Sequence, residues 1–450
     1  MPEPFRHYEG VPVLDLPADP PAPGPGASNA DGAAFLSQLL FYSAAISAAK
    51  RVPSTGSKYA LRVNPSSGNL HPTEFHFITK GLNDWPDGLY HYRASSHMAE
   101  QRAAGDFGMS APVAFVLSSI AWREAWKYQS RAYRYCLHDA GHAWQSLALA
   151  AGAMGCETFA SGEFADDEVA AHYRLSADEW PMLFLELRGE AIPATPAIPA
   201  PVRDAAETVW YGGDPNPLSR EHVSYTLIDG IHAATKVQCV GGMEAAGDGG
   251  GELRLPPPTR SVKPFGEVVR NRRSALDFQG GETMMSLPQL SAILGAAAKP
   301  YLADFAATRL VSLYVYAHRV EDLERGVYRH WPGTGELERI KTGDQRVMAA
   351  GLSLGQSLAG NACVSFSMIA DLERATRGYG GRGYRYAHFE AGAIGQRMYV
   401  AAESVGLRAT GIGAFYDDEV HRYLGLRPEQ GQVVYHFAIG HAIPDPRLEA

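Results

Sequence analysis

The sequence predicts an α+β fold built twice in one chain, and three observations predict it. Tyr128 to Val169 aligns without a gap on Tyr379 to Val420, at a constant separation of 251 residues (379 − 128 = 251, 420 − 169 = 251). From Lys127/Gly378 to Val169/Val420, 17 of 43 positions are identical, against roughly three expected from average composition. A unit this long is no solenoid repeat, so it means two related globular domains. Second, short apolar strands bounded by Gly, Pro and Asp recur in the same order in both halves. Third, few strand-helix-strand units separate them, which favours antiparallel sheets flanked by helices over a parallel sheet. Composition permits this: 450 residues with 46% hydrophobic and 20% charged content can fill two or three cores.

Four segments are expected: an irregular leader at 1–30, with Pro17 to Asn29 rich in Pro, Ala and Gly; a first domain at 31–190; a connector at 191–262; and a second domain at 263–450. In the first domain the pattern predicts a helix over 34–49, strands at Glu74–Thr79, Gly88–Tyr92, Val113–Ser118 and Met182–Leu187, and a long helix from Arg131 to Met154. The connector holds an alternating Pro/Ala stretch from Ile192 to Pro201, a helix near Ile228 to Thr235, a flexible Gly241 to Gly251 and the rigid Pro256-Pro257-Pro258. The second domain repeats the order: helix 287–297, strand Leu310–Ala317, Gly326-Val327-Tyr328 answering Gly88-Leu89-Tyr90, strand 363–369, helix 384–404 and strand 433–438.

A net charge of −9 gives no electrostatic reason to expect nucleic acid or an anionic membrane. No stretch of about 18 apolar residues appears and the N-terminus is not signal-like, so a cytoplasmic protein is expected. The cysteines Cys136, Cys156, Cys239 and Cys363 are scattered without a C-x-x-C, which predicts reduced thiols and no metal site.

Three pieces carry chemistry, and each has a plain structural reading beside the functional one. Pro65-Ser66-Ser67-Gly68-Asn69-Leu70-His71-Pro72 packs two hydroxyls and a carboxamide between prolines; it can read a heterocycle edge, or it is a capped turn before a strand. Arg272-Arg273-Ser274 offers two planar donor forks suited to a phosphate, or is a solvated basic stretch. Gly411-Ile412-Gly413 lets backbone amides approach a flat ring, or is a tight turn. The copies disagree at all three: the stretch answering the Ser loop, about 295–308, has no Ser or Asn, Ala18, Asp19 and Pro20 answer Arg272-Arg273-Ser274, and Ala160-Ser161-Gly162 answers the glycine segment.

These three pieces together resemble the flavin-binding motifs of the nitroreductase family. In that family two subunits share each FMN, which implies that this chain holds both partners as a pseudo-dimer, with further oligomerisation open. The resemblance covers roughly 30–190 and 260–450, and Lys127-Tyr128-x-x-Arg131-x-Tyr133-Arg134-Tyr135 with Asp139-Ala140-Gly141-His142 is similar to the SagB/ThcOx branch, as is the connector Gly212 to Ser219. It implies an FMN-dependent dehydrogenase oxidising an azoline-like, small or peptide-derived substrate. Pro65, Ser66, Ser67, Asn69, Arg272, Arg273, Ser274, Gly411, Ile412 and Gly413 would bind the cofactor, with Arg447 a further phosphate contact or a solvated tail residue. Lys127 or Tyr128 would take the proton, given burial or a cation such as Arg131 to lower the lysine's pKa so that it is neutral and free to accept one. Because the pieces are split between the copies, they sum to one complete flavin site, and the mirror site is expected to be dead. A nicotinamide-dependent nitroreductase or quinone reductase, and a non-catalytic flavin carrier, are the alternatives. Tyr128, kept as Tyr379, can be catalytic or structural, and His142, opposite Ala393, is read as a packing residue.

Overall fold

The computed structural model describes residues 1–24, 31–53, 56–194, 208–236, 249–305 and 309–448. Cys239, the Pro/Ala stretch from residue 195 onward, residues 241–248 of the glycine segment and 25–29 of the leader lie outside the described residues. The chain is α+β and divides into two compact units. The first comprises Met1–Lys50, Lys58–His232 and Leu302–Phe305; the second comprises Arg51–Ser57, Ala233–Tyr301 and Ala306–Ala450.

In the first unit the sheet runs Val13–Asp15, Met98–Ala104, Gly88–Arg93, Thr73–Thr79, Val113–Ser119, Trp180–Arg188, Glu157–Ser161, every pairing antiparallel, with Val209–Trp210 also on Met98–Ala104. In the second it runs Leu253–Arg254, Glu336–Thr342, Gly326–Trp331, Val311–Ala317, Val364–Ala370, Gln432–Gly440, Arg408–Ile412, again antiparallel. The order is the same, strand for strand. A long helix, Ala132–Ala153 in one unit and Arg382–Ser404 in the other, lies against each sheet.

Several residues common to both copies do the same structural work in each. A Cβ at Gly88 would run into the carbonyl of Ala103, and one at Gly326 into that of Lys341. The following tyrosines close the same corner: Tyr90 donates to the Pro86 carbonyl at 2.7 Å and Tyr328 to that of Glu324 at 2.8 Å. Tyr128 packs edge-on against Tyr135 with ring centroids 4.7 Å apart, as Tyr379 does against Tyr386 at 5.0 Å. The ring of Tyr128 is therefore part of the packing.

The structure corrects one expected helix and adds elements that the pattern did not predict, among them several short helices and the strands Met98–Ala104, Glu157–Ser161, Glu336–Thr342 and Arg408–Ile412. The helix expected over 34–49 spans only Gly32–Phe41, and Ile46–Arg51 is a strand paired with Lys58–Arg62. Ser43 Oγ donates back to the Leu39 carbonyl at 2.7 Å and Ala45 N–H closes on Leu40, ending the helix. Strand pairing there overrides the helix preference of an Ala-rich run. One addition is Ala121–Tyr128, a short helix before the long one, with Leu372–Tyr379 as its counterpart. Lys127 thus lies in the last turn of this helix. No described helix is long and apolar enough to cross a membrane.

Candidate flavin-site residues in the two units

In the first unit the Ser loop is built from within. Ser66 Oγ accepts from His71 N–H at 2.8 Å, and Ser67 gives both its N–H and its hydroxyl to Asp139 on the long helix at 3.0–3.1 Å. Asn69 donates its amide to the Ala60 carbonyl at 2.9 Å. Gly68, Asn69 and His71 all adopt positive φ. Both hydroxyls are thus engaged in holding the loop's shape, as the capped-turn reading requires. Pro65 leads into it half-buried. Burial, with Arg62 and Arg123 nearby, pushes the His71 imidazole down to about 3, so it is neutral and packs the loop's end.

The loop meets the short helix at Gly68. A Cβ there would lie 2.5 Å from the Tyr128 hydroxyl and 3.1 Å from Lys127 Nζ, so the absent side chain leaves room for these two groups. Lys127 is exposed, with Nζ 5.0 Å from the Tyr128 ring centre. The helix is anchored on its buried side by Arg123, which donates to Glu74 at 2.5 Å, to the His71 carbonyl at 2.7 Å and to the Glu3 carbonyl at 2.8 Å. Burial alone would raise the Glu74 carboxyl; Arg123 and His91 outweigh it and hold it at about 2. Trp122 and Ala125 face a separate cavity of about 360 Å³, with Trp180 and Tyr225.

In the second unit Arg272, Ser274 and Gly411 converge on Tyr399. The Tyr399 hydroxyl is 2.8 Å from Ser274 Oγ and accepts from Gly411 N–H at 2.9 Å, and the Arg272 guanidinium stands 5.0 Å from its ring centre. Arg272 is buried, and Arg273 turns Nη1 to the carbonyls of Arg270 and Arg272. Burial lowers both guanidiniums, Arg273 to about 10, with Arg272, Arg408 and Arg270 pressing on it and Glu403 the compensating carboxylate. Crowded, partly desolvated cations favour an added anion, which is what a phosphate supplies. Tyr399 was missed from the sequence. Its counterpart is Ala148 (399 − 251 = 148), so the comparison of copies contains the signal.

The glycine segment is more structural than expected. A Cβ at Gly411 would run into the Tyr435 hydroxyl, and Ile412 is buried in the core. Arg447 is tied to Asp445 by two bonds at 2.8 Å, and its carbonyl accepts from Arg51 N–H. His142 is buried in the long helix.

At the matching place in the first unit the chain closes on itself. Ala160 exchanges backbone hydrogen bonds with Leu302 and Asp304, and the Asp304 carboxylate accepts from Gly162 N–H at 2.9 and 3.1 Å and from Glu163 N–H at 3.2 Å. Gly162 is the counterpart of Gly413. Among the described residues no group of three or more His, Cys, Asp or Glu is arranged to hold a metal ion.

Comparison with known proteins agrees with this architecture. The sequence model of the nitroreductase family matches residues 43–187 and 269–441. A protein of Methanocaldococcus jannaschii that carries the name of a nitroreductase is 33% identical over 186 residues, covering 39% of this chain and 90% of its own. A crystal structure from Anabaena variabilis, also named for a nitroreductase, superposes with a TM-score of 0.79 at 24% identity, covering 98% of this chain and 94% of that one, and so shares the fold.

Proposed function

Because the chain belongs to the nitroreductase family, we propose that it is an FMN-dependent dehydrogenase of the SagB/ThcOx type, oxidising an azoline-like heterocycle in a small or peptide-derived molecule. The observation that carries this reading is the division of labour between the copies. Lys127, Tyr128 and the Ser66–Gly68 loop meet only in the first unit, and the guanidinium cluster with Tyr399 exists only in the second.

The residues present fit the cofactor. Arg272 and Arg273 are crowded cations that a phosphate would relieve, and the Ser loop and the Gly411–Gly413 segment would hold the ring. FMN, when bound, supplies the hydride acceptor. Tyr128, its ring fixed by Tyr135, keeps its hydroxyl against Gly68, and Lys127 stands at the same place to receive the substrate's proton. One FMN per chain is expected, since Asp304 already satisfies the amides of Gly162 and Glu163, the counterparts of the flavin segment.

Native mass spectrometry of the purified protein tests this directly: one FMN per chain supports the reading, whereas two, or none after reconstitution, would overturn it. Replacing both Arg272 and Arg273 with Ala should abolish retention of that FMN. The name of the Methanocaldococcus jannaschii relative favours a second reading, reduction of a nitro compound or quinone by a nicotinamide. Rapid bleaching of the bound flavin by NADH or NADPH would select it.

A further inference from the structure

Beneath the Ser loop lie two buried carboxyl groups on neighbouring helices. Asp139, on the long helix, is 2% exposed and accepts the Ser67 N–H and hydroxyl at 3.0–3.1 Å. Glu124, on the short helix one turn before Lys127 and Tyr128, is fully buried; neither of its oxygens completes a well-aligned hydrogen bond, and Ser66 is the hydroxyl that stands nearest to giving one. A carboxylate so weakly supported in such a place is expensive unless it carries a proton or shares one with a neighbour.

The duplicated unit separates the structural part of this arrangement from the rest. Asp139 corresponds to Glu390 (390 − 139 = 251), which accepts backbone N–H groups of Leu310 and Val311 at 2.9 and 3.3 Å. A buried carboxylate that ties the long helix to the chain ahead of the equivalent strand is therefore common to both copies. Glu124 corresponds to Ala375. The second carboxyl exists only in the copy that has Lys127 and the Ser loop, and folding of the equivalent unit does without it.

We propose that Glu124 and Asp139 act as one carboxyl pair that positions the Ser66–Gly68 loop and stores the proton released at Lys127 and Tyr128. The inference rests on the dehydrogenase reading above. In that oxidation the substrate C–H bond breaks, its hydrogen and two electrons leave as hydride to the flavin, and the second proton passes through Lys127 or Tyr128 to the pair. The pair goes from one bound proton to two, and gives one back to solvent before the next turnover. The groups facing it are Lys127 and Tyr128 from the short helix, Tyr135 and Cys136 from the long helix, and Ser66 and Ser67 from the loop. Burial pushes Asp139 up to about 7, with the Ser66 and Ser67 bonds opposing, and pushes Glu124 well above the carboxylate range, with Asp139 adding to the rise. Both shifts point upward, so near neutrality the pair as a unit still holds a proton.

Two readouts test this. Infrared difference spectra of the protein as purified, at pH 7, should contain a protonated carboxyl band that Glu124→Gln removes, whether or not flavin is bound. The rate of flavin reduction by substrate should rise with pH through about 7 in the wild type. In Asp139→Asn that rise should vanish and the rate fall at least tenfold, while Asp139→Glu restores the rise. If Asp139 were only a structural tie, its replacement would weaken flavin retention and leave the shape of the profile unchanged, and that result overturns the proposal. A neutral-pH band untouched by Glu124→Gln overturns it too, and this variant serves if Asp139→Asn does not fold. A protein that holds no flavin would refute the dehydrogenase reading instead, and the infrared result would still decide the pair.

Discussion

Gly68→Ala is the sharpest single test of how the loop and the short helix cooperate. Gly68 has φ +59°, which an L-residue adopts at a penalty of about 1 kcal/mol. The new methyl would stand 2.5 Å from the Tyr128 hydroxyl, whereas ordinary contact begins near 3.4 Å, so the hydroxyl must retreat by about 0.9 Å (3.4 − 2.5). Lys127 Nζ, at 3.1 Å, is the end of a flexible chain and gives way easily. The Tyr128 ring does not, because it packs edge-on against Tyr135 at 4.7 Å. A misplacement of this size at a reacting group lowers rates on the order of 10²-fold. Expected, then, are a stability loss of about 1–2 kcal/mol by denaturant titration, retained FMN through the intact Arg272 and Arg273, and substrate oxidation slowed about a hundredfold in stopped flow. Wild-type turnover in a variant shown to be folded and yellow would refute the placement of the Tyr128 hydroxyl at the reacting centre.

Two other outcomes follow from the same geometry. Lys127→Ala removes an exposed side chain that nothing in the core uses, so the protein should stay folded and flavin-loaded but oxidise substrate more slowly by about 10²-fold or more, as loss of a general base does; unchanged turnover would move the proton acceptor elsewhere. Gln129 sits at φ +51° and ψ −138°, a conformation its counterpart Gly380 adopts at φ +59° and ψ −150° without a side chain to strain. Gln129→Gly should therefore raise stability by about 1 kcal/mol, read as a shift of the denaturation midpoint, and a loss of stability would show that Gln129 is not strained.

That strain is present only in the copy carrying Lys127 and Tyr128. The second copy makes the same break between its short and long helices with a glycine, so the fold needs the bend and the first unit adopts it with a residue ill suited to it.

The duplication, the α+β class and the chain positions of several strands were legible in the amino-acid sequence because they depend on local signals: apolar runs, their Gly and Pro boundaries, and a string of identities at fixed spacing. The same comparison of copies singled out Lys127, the Ser loop and Arg272-Arg273-Ser274, since a residue kept for folding alone tends to persist in both. Long-range contacts decided the rest. The Ala-rich composition of Ile46–Arg51 does not distinguish a strand from a continued helix; its pairing with Lys58–Arg62 makes it a strand. Glu124 and Asp139 are 15 residues apart (139 − 124 = 15), and nothing in that spacing shows that packing removes both from water. Tyr399 joins Ser274 to Gly411 across 125 and 12 residues, and Asp304 reaches Gly162 across 142. Burial and hydrogen bonding are properties of what surrounds a group, and for these side chains the surroundings are assembled from parts of the chain that the sequence keeps far apart.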